Sequence, residues 1–346
     1  STVIYIIMFF SYSRFNFREK LFLSLYTKKS IQILFSENES IKNYEINLLS
    51  LVDKISKNSR FFLNEAGTIL DFFPGTIKSG KFFHKTNTDR SLVYYLEFLS
   101  YVTFISKDYI EFKLSGLRSL NSDFSLETFL YSIIPLYRNI AGRDIRIKTW
   151  TEKNCEKINT NAIFFYPGNF SINRLEHELK NVIKSIRIII SSSTKKSIDE
   201  EKVRAVIEKK YNFYNNDYKI YNFTVTNQNI HFDTVCLLYE TSKGVILGAD
   251  YTTSSVENRE FYLNTIKYLS DFMITQDASR NSSNFFNHNF FIIRSLIENV
   301  NEDFEIKVKS LTLCNINLLR DVSKFLGIFY KFIPIAQSNI LIVKVI

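Results

Sequence analysis

The sequence predicts an α/β fold, because apolar residues at helical spacing and at strand spacing succeed one another along its 346 residues. One helical face is made by Ile41, Tyr44, Leu48, Val52 and Ile55. A half-buried strand is indicated at residues 145–148, where isoleucine alternates with arginine and lysine. Helix-then-strand units of this kind recur through the first half of the chain. A hydrophobic content of 45% argues against disorder.

The first half of the chain divides clearly into elements. In order, the predicted elements are a helix over 41–55, strands over 61–63 and 68–73, a buried helix over 89–105, a strand over 109–114, a helix over 126–140 and a strand over 145–148. Asp123 is expected to cap the helix that begins near residue 126. Pro135 predicts a kink in that helix, and Gly142 predicts its end.

The pattern changes near residue 182. The predicted elements are then strands over 185–191, 218–225, 234–240, 244–249, 304–308 and 329–333, and helices on the apolar stripes 203–207, 262–273, 290–300 and 316–326. Ser197 and Glu200 form a capping-box signature for the first of these helices. No low-complexity linker separates the parts of the chain, which favours an inserted domain over two consecutive domains.

Residues 67–86 form the stretch around which we expect the chain to be organised. Pro74 removes a backbone donor and restricts φ, so it is best placed where a strand ends. Gly75 and Gly80 supply torsions that side chains with a Cβ disfavour, and a second strand carrying His84 follows. Two such breaks close together leave a backbone segment able to approach a neighbour closely.

This stretch resembles the corresponding segment of the RNA 3′-terminal phosphate cyclase superfamily, and more closely of its cyclase-like branch, a ribosome-assembly factor. The positions that match family motifs are Pro74, Gly75, Gly80 and His84, then Gly116, Asp123 and Glu127 before a long helix, and Leu318, Leu319, Arg320, Asp321, Val322 and Phe325. Residues 16–25 are similar to the family's opening Asn-Phe-Arg segment and its apolar strand. The shared order of these motifs from about residue 10 to residue 335 carries the resemblance.

The resemblance implies a particular architecture. A large domain of repeated β-α units, with sheets covered by helices on one side, is interrupted by a smaller inserted α/β domain. The corresponding division places the first part of the large domain at 10–181, the inserted domain at 182–257 and the last part of the large domain at 258–346.

The same resemblance bears on catalysis. A working cyclase attacks a nucleotide phosphorus with a histidine near its C-terminus. That position falls near Ser283-Asn284, and neither side chain can act as the nucleophile, although His288 lies one helical turn away. Two glycine segments that would let backbone amides approach phosphate are replaced by Arg-Phe-Asn-Phe at 14–17 and Ile-Asn-Thr at 158–160. These losses imply a non-catalytic protein that needs no cofactor.

Rival functions stay open at the level of sequence. A residual RNA 3′-phosphate cyclase would use His288, and a site-specific pre-rRNA endonuclease would use Asp321. Arg320-Asp321 with Lys324 resembles a polar motif suggested to cleave precursor RNA in the cyclase-like branch, although Ser323 stands where that branch often has lysine. A salt-linked helix surface or a partner contact explains the same residues. A small-molecule enzyme would need a ligand constellation that the sequence does not display, and the four histidines lack metal-ligand spacing.

Charge favours a polyanionic partner such as RNA, because the formal net charge is +9 and the pI is near 9.2. Two basic groups are candidates to contact rRNA phosphates without reading bases: Lys78, Lys81, Lys85 and Arg90 near the Pro74-Gly75 break, and Arg143, Arg146 and Lys148 near Trp150. The charge is dispersed over the whole sequence, so an ordinary solvated surface explains the same residues.

Cysteine usage and apolar runs indicate a compartment. Cys155, Cys236 and Cys314 are far apart and odd in number, so we expect free thiols in a reducing compartment. The apolar run at residues 2–10 is too short to span a bilayer and lacks the basic region of a secretory signal. We expect it to be an edge strand, or residues translated upstream of a start at Met8, and we expect no membrane contact.

The function implied by the resemblance is a structural role in ribosome biogenesis. The expected location is the nucleolus. The expected task is pre-rRNA processing and maturation of 18S rRNA within the small-subunit processome. The expected partners are a ribosome-biogenesis GTPase, pre-rRNA and other processome proteins.

Overall fold

A computed structural model of the chain describes residues 10–35, 39–141, 145–153, 158–166, 183–192, 199–211, 218–224, 232–241, 246–254, 260–277, 305–308, 311, 313–334 and 341–345. Within these ranges, helices alternate with the strands of several β-sheets. The predicted α/β fold class is therefore confirmed.

The bounds of the elements follow in chain order. The helical segments are α1 (Phe17–Thr27), α2 (Asn43–Ile55), α3 (Leu92–Val102), α4 (Leu126–Thr128), a π-helical turn (Phe129–Ile133), α5 (Ile134–Ala141), α6 (Glu200–Tyr211), α7 (Phe261–Asp277) and α8 (Leu313–Leu326). The strands are β1 (Phe10–Ser13), β2 (Ile31–Leu34), β3 (Ser56–Lys57), β4 (Arg60–Leu63), β5 (Ile69–Phe73), β6 (Thr76–Ile77), β7 (Gly80–Lys85), β8 (Ile110–Gly116), β9 (Arg146–Lys153), β10 (Ile158–Tyr166), β11 (Ile183–Ser192), β12 (Tyr218–Thr224), β13 (Asp233–Thr241), β14 (Ile246–Thr253), β15 (Glu305–Val308), β16 (Tyr330–Pro334) and β17 (Leu341–Val345).

The first sheet has the strand order β1-β2-β5-β4 and shares a core with α1 and α2. Leu48 and Val52 on the predicted face of α2 are fully buried, as are Ile33 of β2 and Phe72 of β5. Each fully buried side chain of this size contributes about 1.5–3 kcal/mol relative to an exposed one. The apolar stripe predicted from the sequence is therefore the face of α2 that packs in the core shared with this sheet.

The second sheet has the strand order β7-β8-β10-β9 and buries one of its two faces. Phe82, Phe112, Phe164 and Ile147 lie in one row across the four strands and point inward. The rings of Phe82 and Phe112 stack at 5.8 Å, and those of Phe112 and Phe164 at 6.4 Å. Because side chains alternate along a strand, the neighbouring residues of the same strands form the opposite, outer face.

The third sheet, in the order β12-β11-β13-β14, has a core of its own with α6 and α7. Buried polar groups join this sheet to the start of α4. Asp250 Oδ2 accepts from Ser125 N–H at 2.6 Å and from Thr128 Oγ1 at 2.7 Å. A fourth sheet has the strand order β15-β17-β16. In the chain, β15 precedes α8, and β16 and β17 follow it.

Two local predictions are corrected by the structure. Residues 16–25, expected to contain a strand, form α1, because Leu21, Phe22 and Leu25 face the core at helical spacing. The cap of α4 is Ser125, whose side chain accepts from Thr128 N–H, because Asp123 lies too early in the chain to reach that position. These corrections concern local geometry and leave the fold class unchanged.

The irregularity predicted at Pro135 takes the form of a π-helical turn. The Ile134 N–H donates to the Phe129 carbonyl, which widens the helix by one residue directly before the proline. Such a widened turn is one of the recognised ways in which a helix accommodates an irregular position. Gly142, the predicted stop, lies outside the described residues.

The proposed domain division stays a prediction. The side chains of α7 at Tyr262, Ile266, Leu269 and Met273 pack in the core of the third sheet. The division 10–181, 182–257 and 258–346 assigns this helix to the last part of the large domain. This helix therefore packs in the core of the sheet that the division assigns to the inserted domain, so the boundary near residue 258 is the part of the division to test first.

Candidate functional site

The Pro74-Gly75 break lies against the protein's own backbone. Gly75 N–H donates to Ser59 Oγ at 2.9 Å, and Lys28 Nζ donates to the Gly75 carbonyl at 2.7 Å. A Cβ added at Gly75 would lie 2.0 Å from the Lys57 carbonyl oxygen. The close approach expected of this segment is thus made to the turn between β3 and β4, where it serves the fold.

His84 is buried between β7 and α2 with both ring nitrogens engaged. Lys54 Nζ lies 3.3 Å from Nδ1 and can only donate, so Nε2 carries the proton and donates to Asn47 Oδ1 at 2.9 Å. Burial, with the Lys54 charge adding to it, lowers the pKa of His84 to about 4. A neutral imidazole held in this way joins a strand to a helix rather than serving as a catalytic group.

The His84 contacts predict an acid-sensitive contribution to stability. The pKa of His84 is about 4 in the folded chain and 6.5 for an unperturbed imidazole, so the unfolded chain takes up the proton first. The contribution is complete above pH 6.5 and is lost as the pH falls toward 4. Urea unfolding of the wild type at about pH 7 and pH 4.5 is expected to differ by about 2 kcal/mol more than in His84→Gln. An equal pH difference in both proteins would contradict this assignment.

Gly116 and Asp123 position the chain around the start of α3. A Cβ added at Gly116 would lie 1.7 Å from Thr86 Oγ1, so the end of β8 packs directly on the residue that follows β7. The Asp123 carboxylate accepts from Ser91 N–H at 2.7 Å and from Arg90 Nη1 at 2.7 Å. These family-motif residues therefore join the segment before α3 to the end of β8 and to the segment before α4. Arg90, which Asp123 contacts, also lines a cavity.

A cavity of about 620 Å³ opens at the N-terminus of α1. Its wall includes three arginines, Arg14, Arg18 and Arg90, and the aromatic rings of Tyr44 and Tyr94. The Arg90 guanidinium lies 4.8 Å from the Tyr44 ring centroid and 4.7 Å from that of Tyr94. Arg18 lies 4.5 Å from the Tyr94 centroid on the same side of α3. The cavity is therefore lined by cations stacked on aromatic rings.

Each arginine of this cavity is already paired with carboxylates. The pairs are Arg14 with Glu39 and Glu45, Arg18 with Glu97, and Arg90 with Asp123. The two Arg14 contacts are both 2.9 Å, and the Arg90 contact is 2.7 Å. A guanidinium whose charge is balanced by carboxylates attracts a phosphate less strongly than an unpaired one. The electrostatics of this cavity disfavour a polyphosphate ligand.

The segments that replace the family's glycines have distinct structures. Asn16 adopts φ 56°, a left-handed conformation that asparagine tolerates, and its side chain donates to the Cys314 carbonyl at 2.9 Å. The bend before α1 is thus kept without glycine. Residues 158–160 pair with 151–153 in the β9–β10 ladder, so they form a strand rather than a loop open to phosphate.

Asp321 is paired inside the protein. Its Oδ2 lies 3.3 Å from Lys20 Nζ, with the two side chains 10% and 1% exposed, and Lys20 also donates to the Phe15 carbonyl. Burial raises the pKa of Asp321, although the Lys20 charge beside it lowers it. Arg320, the preceding residue of α8, is exposed. This placement favours a structural ion pair between α1 and α8 over an endonuclease centre.

Four of the seven basic candidates for RNA contact share one surface. Lys81 and Lys85 of β7 and Arg146 and Lys148 of β9 all lie on the outer face of the second sheet, and all four are exposed. The remaining three are Lys78, whose Nζ donates to the Lys54 carbonyl at 3.0 Å, Arg90 in the cavity, and Arg143, which lies outside the described residues.

Two further residues of this face were missed in the sequence. Phe83 is 58% exposed on β7, and Lys113 of β8 is its register partner. Lys113 Nζ lies 6.0 Å from the Phe83 ring centroid and 5.4 Å from that of Trp150. The alternation of β8, in which Ile110, Phe112 and Leu114 are buried and the residues between Ile110 and Leu114 are not, was the available signal.

Several predicted residues lie outside the described part of the chain, namely Ser283, Asn284, His288, His177, His231 and Cys155. Cys236 is a buried free thiol and Cys314 an exposed one. Within the described residues, no set of three His, Cys, Asp or Glu side chains is arranged to hold a metal ion. Across the same ranges, no helix is long and apolar enough to cross a membrane.

Comparisons with known proteins agree with the resemblance inferred from the motifs. Residues 14–155 match the family model "RNA 3'-terminal phosphate cyclase". The chain is 24% identical over 256 residues to a "Probable RNA 3'-terminal phosphate cyclase-like protein" of Drosophila melanogaster, covering 70% of this chain and 66% of that protein. A protein of the same name from Dictyostelium discoideum is 29% identical over 131 residues, which is 36% of this chain and 35% of that protein.

A third relative has a name that refers to a process. The "rRNA processing protein RCL1" of Saccharomyces cerevisiae is 23% identical over 138 residues, covering 39% of this chain and 38% of that protein. The matched part of this chain spans less than two thirds of the length of each of these relatives. The similarity to the cyclase-like proteins is thereby confirmed, and the match to the family model lies within residues 14–155.

Proposed function

We propose, from the similarity of residues 14–155 to the RNA 3′-terminal phosphate cyclases, that this chain is a non-catalytic ribosome biogenesis factor that acts in rRNA processing. The names of its relatives include both "cyclase-like" and "rRNA processing". The observation that carries the proposal is the cavity beside α1, where the three arginines are paired with carboxylates. Ion pairs of this kind leave the cavity without the excess of positive charge that a nucleotide phosphate would need.

The finer proposal concerns assembly. We place the chain in the nucleolus, within the small-subunit processome, where it supports maturation of 18S rRNA as a structural partner of a ribosome-biogenesis GTPase. A rigid α/β body with separate outer surfaces suits a subunit that contacts protein on one side and pre-rRNA on another. The net charge of +9 supports the RNA side of this assignment.

Depletion of the chain tests the role in rRNA processing. Mature 18S rRNA is expected to fall several-fold and its precursors to accumulate, while large-subunit rRNA stays unchanged. Affinity capture of the tagged chain is expected to recover small-subunit pre-rRNA and a GTPase. Normal 18S rRNA in depleted cells would refute the role, and capture without any GTPase would refute the partnership.

A second measurement separates this proposal from a residual cyclase. Incubation of the purified chain with ATP labelled at the α-phosphate is expected to leave the protein unlabelled. An active RNA 3′-terminal phosphate cyclase treated in parallel provides the positive control, since its nucleophile forms a covalent nucleotidyl intermediate. A label that survives denaturation of this chain would overturn the non-catalytic assignment.

A further inference from the structure

We propose that the outer face of the second sheet binds single-stranded RNA, with bases stacked on Phe83 and Trp150 and phosphates held by the surrounding cations. The inference rests on the proposed function, because it names the class of RNA and the surface through which an rRNA-processing factor contacts it. The sequence analysis expected this surface to contact only RNA phosphates, whereas the inference adds stacking of unpaired bases on aromatic rings.

The aromatic part of this face is arranged around one ammonium group. Phe83 on β7 and Trp150 on β9 lie on the same outer face, and Lys113 Nζ contacts both rings at 6.0 Å and 5.4 Å. Phe165 of β10, half-buried, belongs to the same face. Phe83 and Trp150 lie on the two edge strands of this four-stranded sheet, and Lys113 of β8 and Phe165 of β10 lie between them. Bases of a single strand stack on exposed aromatic rings of such a sheet, and each stacked base is worth about 1–3 kcal/mol.

The charge of the face complements a nucleic-acid backbone. Its outward positions within the described strands carry five cations, Lys81, Lys85, Lys113, Arg146 and Lys148, against two carboxylates, Glu111 and, near the end of β9, Glu152. Lys81 lies 3.6 Å from Glu111, with its side chain 70% exposed. The positive excess surrounds the aromatic rings, so a strand whose bases lie on the rings has its phosphates close to lysine and arginine side chains.

Single-stranded RNA fits this face better than duplex RNA or an apolar protein surface. In a duplex the bases are already stacked on one another, so they cannot lie on Phe83 or Trp150. An apolar partner would leave the cations unpaired and desolvated. The outer face of the first sheet differs, because its exposed side chains include Leu34, Phe62 and Ile69.

Tryptophan fluorescence provides a direct test, because Trp150 is the single tryptophan of the sequence. A labelled, unstructured oligouridylate of about 12 nucleotides is titrated against the full chain, with emission and anisotropy recorded together. We expect saturable quenching of Trp150 that follows the anisotropy change. A duplex of the same length is expected to bind at least tenfold more weakly and to quench little.

Matched variants separate stacking from charge. Phe83→Ala is expected to weaken oligouridylate binding about tenfold, while Phe62→Ala, which removes a ring 57% exposed on the first sheet, is expected to change it less than twofold. Lys148→Glu is expected to reduce the salt dependence of binding by at least about 0.7 in the logarithmic slope. Thermal unfolding of each variant confirms that the fold is retained.

The outcomes that overturn the inference are specific. They are equal binding of duplex and single strand, an unquenched Trp150 at saturation, or a Phe83→Ala variant that binds RNA normally. A Phe83→Ala variant that binds RNA normally but loses a bound protein would assign the face to a protein partner and also overturn the inference. Failure of oligouridylate binding in a chain still required for 18S rRNA refutes this inference alone. Stacking on Trp150 in a chain whose depletion leaves 18S rRNA normal refutes the proposed function alone.

Discussion

Lys20→Met is expected to lower the free energy of unfolding by about 3–5 kcal/mol, because it leaves the buried Asp321 carboxylate without its partner. Lys20 is 1% exposed and joins α1 to α8 through this contact at 3.3 Å. Asp321→Ala is expected to cost a similar amount for the reciprocal reason. Chemical denaturation of the purified variants measures both changes.

The double variant Lys20→Met with Asp321→Leu is the matched control. Replacing a buried ion pair by apolar side chains of similar volume is often neutral, so much of the lost stability is expected to return. This control also decides the endonuclease question, because under the proposed function the loss of stability in Asp321→Ala alone would be enough to reduce rRNA processing. A stable double variant that supports normal 18S rRNA maturation would dismiss catalysis by Asp321. A stable double variant that blocks maturation would revive it, and single variants as stable as the wild type would contradict the ion-pair assignment.

Gly75→Ala is expected to destabilise the chain by about 3–4 kcal/mol, because the added methyl group would lie 2.0 Å from the Lys57 carbonyl oxygen and 2.6 Å from Ser59 N. Both contacts are to backbone, which cannot rotate away as a side chain can. Relief requires β3 and the Pro74-Gly75 break to separate, and that separation breaks the hydrogen bond from Gly75 N–H to Ser59 Oγ. Urea unfolding and limited proteolysis of the segment 56–80 measure the effect.

Ser79→Ala is the control for Gly75→Ala. Ser79 is exposed in the next connection, between β6 and β7, so its replacement is expected to change stability by less than about 0.5 kcal/mol. Equal stability of the two variants would show that the backbone approach at Gly75 is not tight. Loss of stability in Gly75→Ala alone would identify this family-motif glycine as a packing requirement.

Local chemistry was enough to predict most elements near the Pro74-Gly75 break. Helix α3 is apolar almost all round and was predicted as a buried helix for that reason. The stripe of α2 and the strand before Pro74 instead show a clear period, because one face of each is apolar and the other is not. The opening segment was misassigned as a strand for the opposite reason. Its residues are apolar on several sides, since α1 packs against both α3 and α8, and such a helix lacks a polar face to reveal its period.

The sequence by itself determined the α/β class, the positions of the chain breaks and the similarity to cyclase-like proteins, because these depend on residue type and spacing along the chain. Only the tertiary structure decided what the singled-out residues do. It paired Lys20 with Asp321 across about 300 residues, engaged both nitrogens of His84, and separated Arg90 from the lysines beside it in sequence. It also brought Phe83 and Trp150 onto one face. Ion pairs and shared sheet faces depend on which strands and helices become neighbours in the fold, and the spacing of residues along the chain does not specify these neighbours.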